Sequence, residues 1–277
     1  SFDEDTSGSI SVLGSDIDGD DLSYSITEGT DITASLSGSD VSFSAPLDFN
    51  GSETFTVSVS DDELSDSQSI TVTIVPVNDA PVATVGLTGD TNEDQSIVVN
   101  LSGSDIDGDN LTFSLDTNAS SGSVSIAGNI ATYTPLSNTN GDDLFIFTVS
   151  DGELTDSGTV TLTINAVNDA PILSDIDVQS LDEDEVFTYE LVATDVDDTN
   201  LSYSTTIDGN ASVNVTGSTL TITPNLNYNG DIVIDVIVSD GQLTDSDNFI
   251  LIVMPVNDAP VLASLDNEEI QEDDTLT

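Results

Sequence analysis

The pentapeptide Val-Asn-Asp-Ala-Pro occurs at Val77–Pro81, Val167–Pro171 and Val256–Pro260, at intervals of 90 and 89 residues. Three other signals keep that step. Asp-x-Asp stretches begin at Asp16, Asp105 and Asp195, Val-Ser-Asp stretches at Val59, Val149 and Val238, and Asn-Gly turns at Asn50, Asn140 and Asn229. A chain repeating itself at a fixed interval, with its register slipping by no more than one residue, folds as a row of equal units that each contact their neighbours. The expected repeats are 1–79, 80–169 and 170–258, with a fourth starting at 259–277. Glu-Asp pairs at Glu4, Glu93, Glu183 and Glu272 follow the same step and suggest a window from a longer array.

Inside a repeat the apolar residues alternate, as in Phe55, Val57, Val59, then Ile70, Val72, Ile74, and again in Phe145, Phe147, Val149. Period two with Ser and Thr on the other face is the mark of half-buried strands, and no helical stripe competes with it. About seven short segments separated by Gly, Asn, Asp and Pro turns fill roughly 90 residues, the rhythm of an Ig-like Greek-key sandwich. The expected fold class is all-β, a tandem array of Ig-like Greek-key β-sandwiches. No apolar run is long enough to span a bilayer, and any export signal is expected outside the given sequence.

Composition decides what such an array can do. The 277 residues include no Lys, Arg, His or Cys, against 53 Asp and Glu, for a formal net charge of −53. Nucleic acids and anionic membranes are repelled. Disulfides, thiolate or imidazole zinc sites, Ser-His-Asp triads and Schiff-base lysines are all excluded. Isopeptide cross-links are excluded too, because they need lysine. Asp outnumbers Glu by 41 to 12, a bias that favours turns and hard-cation loops over solvated helices. A repeat of this size buries only about two thirds of its unfolded surface. Bound metal is the one staple left.

The recurring residues resemble cadherin-like domains, found in tandem repeats of large secreted and surface proteins of bacteria. Val-Asn-Asp-Ala-Pro is similar to the cadherin interdomain linker. Ser-Asp-Ile-Asp-Gly-Asp-Asp-Leu-Ser-Tyr from Ser15 is similar to the Asp-x-Asp loop before a Tyr-bearing strand, and Val-Ser-Asp-Gly-Glu-Leu from Val149 to the third acidic segment. The likeness covers all three repeats and implies calcium at each junction. It places Glu4, Asp48, Asn78, Asp79, Asp105, Asp107 and Asp151 at the first junction, and Glu93, Asn168, Asp169, Asp195, Asp197 and Asp240 at the second. Glu183, Asn257 and Asp258 hold the corresponding positions at the third linker, and Asp16, Asp18 and Asp61 those in the first repeat. The pattern departs from cadherins at Pro76, Ala166 and Pro255, where an acidic residue is usual, and in the acid-free segments 137–140 and 227–229. Fewer or weaker ions per junction are therefore expected.

Coordination chemistry favours the same grouping independently. Ca²⁺ takes six to eight oxygens, including carbonyls, whereas Mg²⁺ keeps its waters and a strict octahedron. Carboxylates gathered without a cation repel by roughly 1 kcal/mol per pair at 4 Å in water. An empty junction should splay, and a filled one should stiffen.

Plainer readings exist for each motif. Asp16–Asp20 opens like an EF-hand, but Asp21 and Thr27 stand at the sixth and twelfth positions and no helices flank it. The Asp-x-Asp stretches read alternatively as solvated hairpin turns, and the linker Asp as a turn cap before Pro. High-salt adaptation explains acidity in general, though not acids at fixed positions. Asp156-Ser157-Gly158 matches an aspartic-protease element, yet Asp66-Ser67-Gln68 and Asp245-Ser246-Asp247 stand in the same hairpin, so it reads as a turn. No insertion builds a cleft for a glycosidase pair. The chain is thus expected not to be an enzyme.

The leading functional expectation is a calcium-rigidified extracellular spacer or fibre of a surface adhesin or matrix filament, its partners the neighbouring repeats. Lack of Lys and Arg leaves trypsin-type proteases no site, and lack of Cys limits oxidative damage, as long exposure outside a cell requires. The alternatives are a calcium-dependent binding module for a cell-surface protein, itself or a glycan, and a filament subunit that polymerises by strand addition.

Overall fold

The computed structural model describes residues 1–264; Glu272, the fourth-repeat signal, lies outside the described residues. Two compact units divide the chain, Ser1–Ala166 and a second from Val167 onward. The first holds two repeats and the second holds the third. No helix forms among the described residues, and none therefore is long and apolar enough to cross a membrane.

Each repeat is a two-sheet sandwich, all-β as the alternation predicts. In the second repeat, one sheet orders Thr112–Thr117, Gly141–Ser150, Thr155–Asn165 and Leu87–Asn92, the last pair parallel. The facing sheet orders Ile97–Asn100, Ile130–Pro135 and Gly122–Ala127. Just after the linker, Val82–Ala83 forms a separate pair with Gly103–Ser104. The third repeat repeats this plan, with Gln179–Asp182 parallel to Thr244–Met254 and Ile172–Leu173 paired to Ala193–Thr194. In the first repeat Phe2–Asp3 runs parallel to Ser65–Val75, and Gly8–Ser11, Asp40–Ser44 and Thr33–Ser37 make the second sheet.

Period two decides which side chains fill the sandwich. Ile232, Ile234, Val236 and Val238 are fully buried while their neighbours Val233 and Ile237 remain exposed. Phe145, Phe147 and Val149 are likewise fully buried in the second repeat, packed with Tyr133 and Leu162, while Ile146 and Thr148 between them are partly exposed. In the first, Phe43 and Phe55 come from opposite sheets and meet with ring centroids 5.3 Å apart. Each core is thus closed by its own two sheets, and the acids that recur in step with the linker sit in loops at the ends of the strands.

Two loops at the linker end are held by a recurring pair of left-handed residues. Asp5 and Asp48 have φ of 60° and 58°, Asp94 and Asn138 of 59° and 54°, and Asp184 and Asn227 of 65° and 54°. Asp and Asn tolerate that conformation because their short polar groups bond locally. Here Asp5, Asp94 and Asp184 each accept, through Oδ1, the N–H of the partner residue, at 3.0, 3.2 and 2.9 Å.

Candidate metal centre

The Asp-x-Asp loop is wound around its own first carboxylate. Asp16 Oδ1 accepts the N–H groups of Asp18, Gly19 and Asp20 at 2.7, 2.8 and 3.2 Å. Asp195 Oδ1 takes those of Asp197 and Asp198, both at 2.8 Å, and Asp105 Oδ1 that of Asp109 at 3.2 Å. These are Asx turns, in which one oxygen shapes the backbone. The second oxygen is left over: Asp105 Oδ2 and Asp195 Oδ2 are buried with no hydrogen-bond partner.

The Val-Ser-Asp turn divides its carboxylate in the same way. Asp151 Oδ1 accepts from Glu153 and Leu154 N–H at 2.6 and 2.7 Å, and Asp240 Oδ1 from Gln242 and Leu243 at the same distances. Asp61 Oδ1 accepts equally from Glu63 and Leu64. The linker then reaches the free side of the turn. Asn78 Nδ2 donates to Asp151 Oδ2 at 2.9 Å and Asn168 Nδ2 to Asp240 Oδ2 at 2.7 Å. The linker aspartate is tied to the middle of the Asp-x-Asp loop, with Asp79 N–H on Asp107 Oδ2 at 2.9 Å and Asp169 N–H on Asp197 Oδ2 at 2.8 Å.

In the first unit these pieces converge. Glu4, Asp79 and Asp107 offer oxygens mutually within 4.8 Å, as do Asp5, Asp48 and Asp79, and Asp105, Asp107 and Asp109. Ligands on opposite sides of a calcium ion, each about 2.4 Å from it, are separated by about that span. Glu4 is buried, and its Oε1 accepts Val77 N–H at 2.6 Å, which fixes the carboxylate against the linker.

The donor set fits a hard cation. Asp79 Oδ2 and Asp105 Oδ2 are both buried and unpartnered. Buried carboxylate oxygens are costly unless something positive meets them, and the sequence contains no basic side chain to do so. Desolvation raises the Asp79 carboxyl above its ordinary value, and the charges of Asp48, Asp107, Asp5 and Glu4 raise it further. Asp151 is held below the usual carboxylate range, first by the Asn78 bond and then by the Glu153 and Leu154 N–H groups. Asp240 is held low by the same three kinds of bond, led by Asn168. Glu4, Asp5, Asp48, Asp79, Asp105, Asp107 and Asp109 are the residues that would hold the metal, with Asn78 and Asp151 as the girders beside them.

In the second unit, Asn168, Asp169, Asp195, Asp197 and Asp240 assemble as their counterparts do. Glu93 belongs to the first unit, where it is buried and its N–H donates to Asn165 O at 2.9 Å. Glu183 reproduces Glu4, its Oε1 accepting Val256 N–H at 2.6 Å. Asn257 Nδ2 donates to Asp258 O at 3.2 Å, the bond that Asn78 makes to Asp79 O at the same distance. Asp18 is exposed, in the loop wound around Asp16. Asp5 and Asp109 are cluster members that the motif reading missed. For Asp5 the available signal was its place directly after Glu4, and for Asp109 the third acid of Asp105-Ile-Asp-Gly-Asp109.

A family model described as Bacterial Ig domain matches residues 1–73, 78–163 and 168–251. A search of curated proteins returned no match. Among solved structures, PcdhgB3 EC1-4 is similar at a TM-score of 0.59 and 14% identity, over 92% of this chain and 74% of that one. Mouse protocadherin-24 EC1-3 gives a TM-score of 0.50 at 13% identity, over 83% of this chain and 90% of that one. These likenesses bear on the fold alone. The chain also spans 42% of the length of an endo-fucoidan hydrolase from glycoside hydrolase family 107, covering 91% of itself at 17% identity; that TM-score, 0.30, is too low to bear on fold or function.

Proposed function

Because the chain belongs to the bacterial Ig domain family, matched over three successive repeats, we propose that it is a non-enzymatic extracellular array stiffened at its junctions by calcium. Its role is that of a spacer or fibre in a surface adhesin or matrix filament. The repeats run 1–79, 80–169 and 170–258, a fourth opening at 259–277, and their first partners are one another. What carries this reading is the pair of buried, unpartnered oxygens Asp79 Oδ2 and Asp105 Oδ2, set among acids that no basic side chain neutralises. A bound calcium ion would supply the missing positive charge and tie the linker to the loops on both sides of it.

The regular repeats support the absence of catalysis. Asp156, whose Ser-Gly context matches a protease element, spends an oxygen on the fold, its Oδ2 accepting Ala83 N–H from the strand after the linker at 2.8 Å. The test is calorimetric titration with calcium, joined to thermal melts in calcium and in chelator. Tenfold excess over the dissociation constant should stabilise each occupied site by about 1.4 kcal/mol. Scattering profiles should show a longer, stiffer particle in calcium. Identical melting midpoints in calcium and chelator, with no heat of binding, would remove calcium from the account.

A further inference from the structure

On the outward face of its larger sheet the third repeat is apolar where the first is hydroxylated. Val233, Ile237, Ile250 and Ile252 stand there, 42%, 37%, 36% and 39% exposed. Val233 pairs directly with Ile250, and Ile252 follows two residues on, so these three side chains adjoin. The same register positions hold Thr54, Ser58, Thr71 and Thr73 in the first repeat, and Leu144, Thr148, Thr161 and Thr163 in the second. Gly230–Ser239 and Thr244–Met254 are each flanked on both sides in the sheet, so the exposure belongs to a face and not to a sheet edge or a chain end.

Folding does not require this difference. Val, Ile and Thr all suit a strand, and the first repeat closes the same sandwich with hydroxyl residues at all four places. An outward Thr is content in water. A contiguous apolar patch on a solvated face marks a surface that another molecule covers.

The charges around the patch define that molecule. Along Gly230–Ser239 the outward residues run Asp231, Val233, Asp235, Ile237, acid and apolar in turn. Asp182, paired with Met254 on the neighbouring strand, adds a further exposed acid at the rim. A second copy of the chain would set its own Asp231 and Asp235 against these, and none of the 277 residues is Lys or Arg. The complement of this face is a chain that brings apolar and basic side chains together.

We infer that this face docks a basic, extended segment of a different protein, whose inward side chains alternate Lys or Arg with apolar residues. Side chains on one face of a strand recur every two residues, about 7 Å apart. An extended partner lying along Gly230–Ser239 therefore seats two cations over Asp231 and Asp235, with a group the size of Val or Ile between them over Val233 and Ile250. The apolar part supplies the specificity. Acids are spread over the whole chain and hold any cation loosely, whereas the full apolar set occurs in one repeat of the three. The inference goes beyond the spacer reading and stands without calcium: the array presents a partner site as well as length.

The test is an NMR titration of the full chain, in chelator and at about 0.15 M salt. The probe is the synthetic peptide Lys-Thr-Val-Thr-Lys-Thr-Ile, and Lys-Thr-Thr-Thr-Lys-Thr-Thr is the control of equal charge. For so short a peptide a dissociation constant on the order of 1 mM is expected, with amide shifts at Val233, Asp235 and Ile250 and none at Thr54 and Thr71. The control should bind at least about tenfold more weakly. Val233→Thr combined with Ile250→Thr should remove that difference. Threonine already stands at both places in the first repeat, as Thr54 and Thr71, and an unchanged melting midpoint checks that the variant folds. Asp235→Asn should weaken binding of the probe and flatten its salt dependence. Equal binding of the two peptides, or shifts spread over all three repeats, overturns the inference, because charge alone then accounts for the contact. So does self-association of the chain that the double variant abolishes, since the face then belongs to a second copy. Every one of these measurements is made without calcium, so the melts in calcium and chelator decide the spacer reading separately.

Discussion

Asn78 Nδ2 lies 2.9 Å from Asp151 Oδ2, although 73 residues separate the two in the chain. The bond joins the linker to a hairpin turn in the following repeat, and Asn168 makes it again to Asp240 at 2.7 Å. Asp151 has its other oxygen committed to two backbone N–H groups, so the carboxylate is fixed in place before any ion arrives. Pre-set ligands and girders lower the ordering cost of binding. The linker is thereby part of the following repeat's fold as well as a tether between repeats.

Replacing that amide tests whether the linker is structural. Asn78→Ala should cost about 1–2 kcal/mol, since the lost bond was made to a charged acceptor. The loss should be visible in chelator, where the metal plays no part, as a melting midpoint lowered by a few degrees. Calcium affinity should fall as well. An unchanged midpoint would make the linker a passive tether.

Charge removal at the cluster should reverse sign with the solvent. Asp105→Asn keeps the shape of the loop, because the side-chain oxygen can still accept Asp109 N–H. In chelator the variant loses a repelling charge near Asp107 and Asp109 and should melt no lower than the parent, or higher. In calcium it loses a ligand charge and should bind about tenfold more weakly, equivalent to about 1.4 kcal/mol. A variant destabilised equally in both solvents would mark Asp105 as a folding residue only.

Asp5 offers a cleaner separation of fold from ligand. Its left-handed backbone suits Asn as well as Asp, and Asn at that place retains an oxygen for Asp48 N–H. Asp5→Asn should therefore leave the chelator melt within about 0.5 kcal/mol of the parent, the range of a neutral surface change. Its calcium affinity should drop. Titration calorimetry on the two proteins reads the difference directly.

The fold was legible because alternation and repetition are written locally: Phe145, Phe147 and Val149 announce their buried face without knowledge of their partners. Much of the acidic cluster was legible for a similar reason, since Glu4, Asp79, Asp105 and Asp107 recur in step with the linker. Asp5 escaped because its role depends on meeting Asp48 across 43 residues, and the recurring Glu-Asp pair marks the position without revealing that meeting. Asp143 escaped for a deeper reason. It sits at an exposed-looking position of a strand pattern, Gly-Asp-Asp-Leu, and only the packed sandwich shows that it is buried.

Asp143 supplies the last test, because it is a buried charge that belongs to none of the acidic clusters. Its Oδ1 accepts Ser120 N–H, Ser120 Oγ–H and Leu144 N–H at 3.0, 2.9 and 2.9 Å, and its Oδ2 accepts Ser121 N–H and the Tyr133 hydroxyl, both at 2.9 Å. Burial is the largest single influence and pushes the carboxyl up, but the Ser121, Ser120 and Leu144 N–H groups and the Ser120 hydroxyl together hold it below the usual value. The Tyr133 hydroxyl is pushed the other way by burial and by this carboxylate, so it remains the donor. A folded pKa below the unfolded one means that the native state binds the proton less readily. The stabilisation is therefore fully present above the unfolded value of about 3.9 and is lost as pH falls through the lower folded value. Asp143→Asn should remove this part of the acid slope and cost about 1–3 kcal/mol at neutral pH, because a carboxylate surrounded by donors is replaced by a group that is itself half donor. Tyr133→Phe should leave the slope present and move its midpoint upward, since one donor to the charged form is gone. Denaturant melts of the full chain at a series of acid pH values, with exchange rates at second-repeat amides to locate the change, check both. An acid slope identical in the parent and Asp143→Asn would show that the buried carboxylate does not govern the acid limit of this repeat.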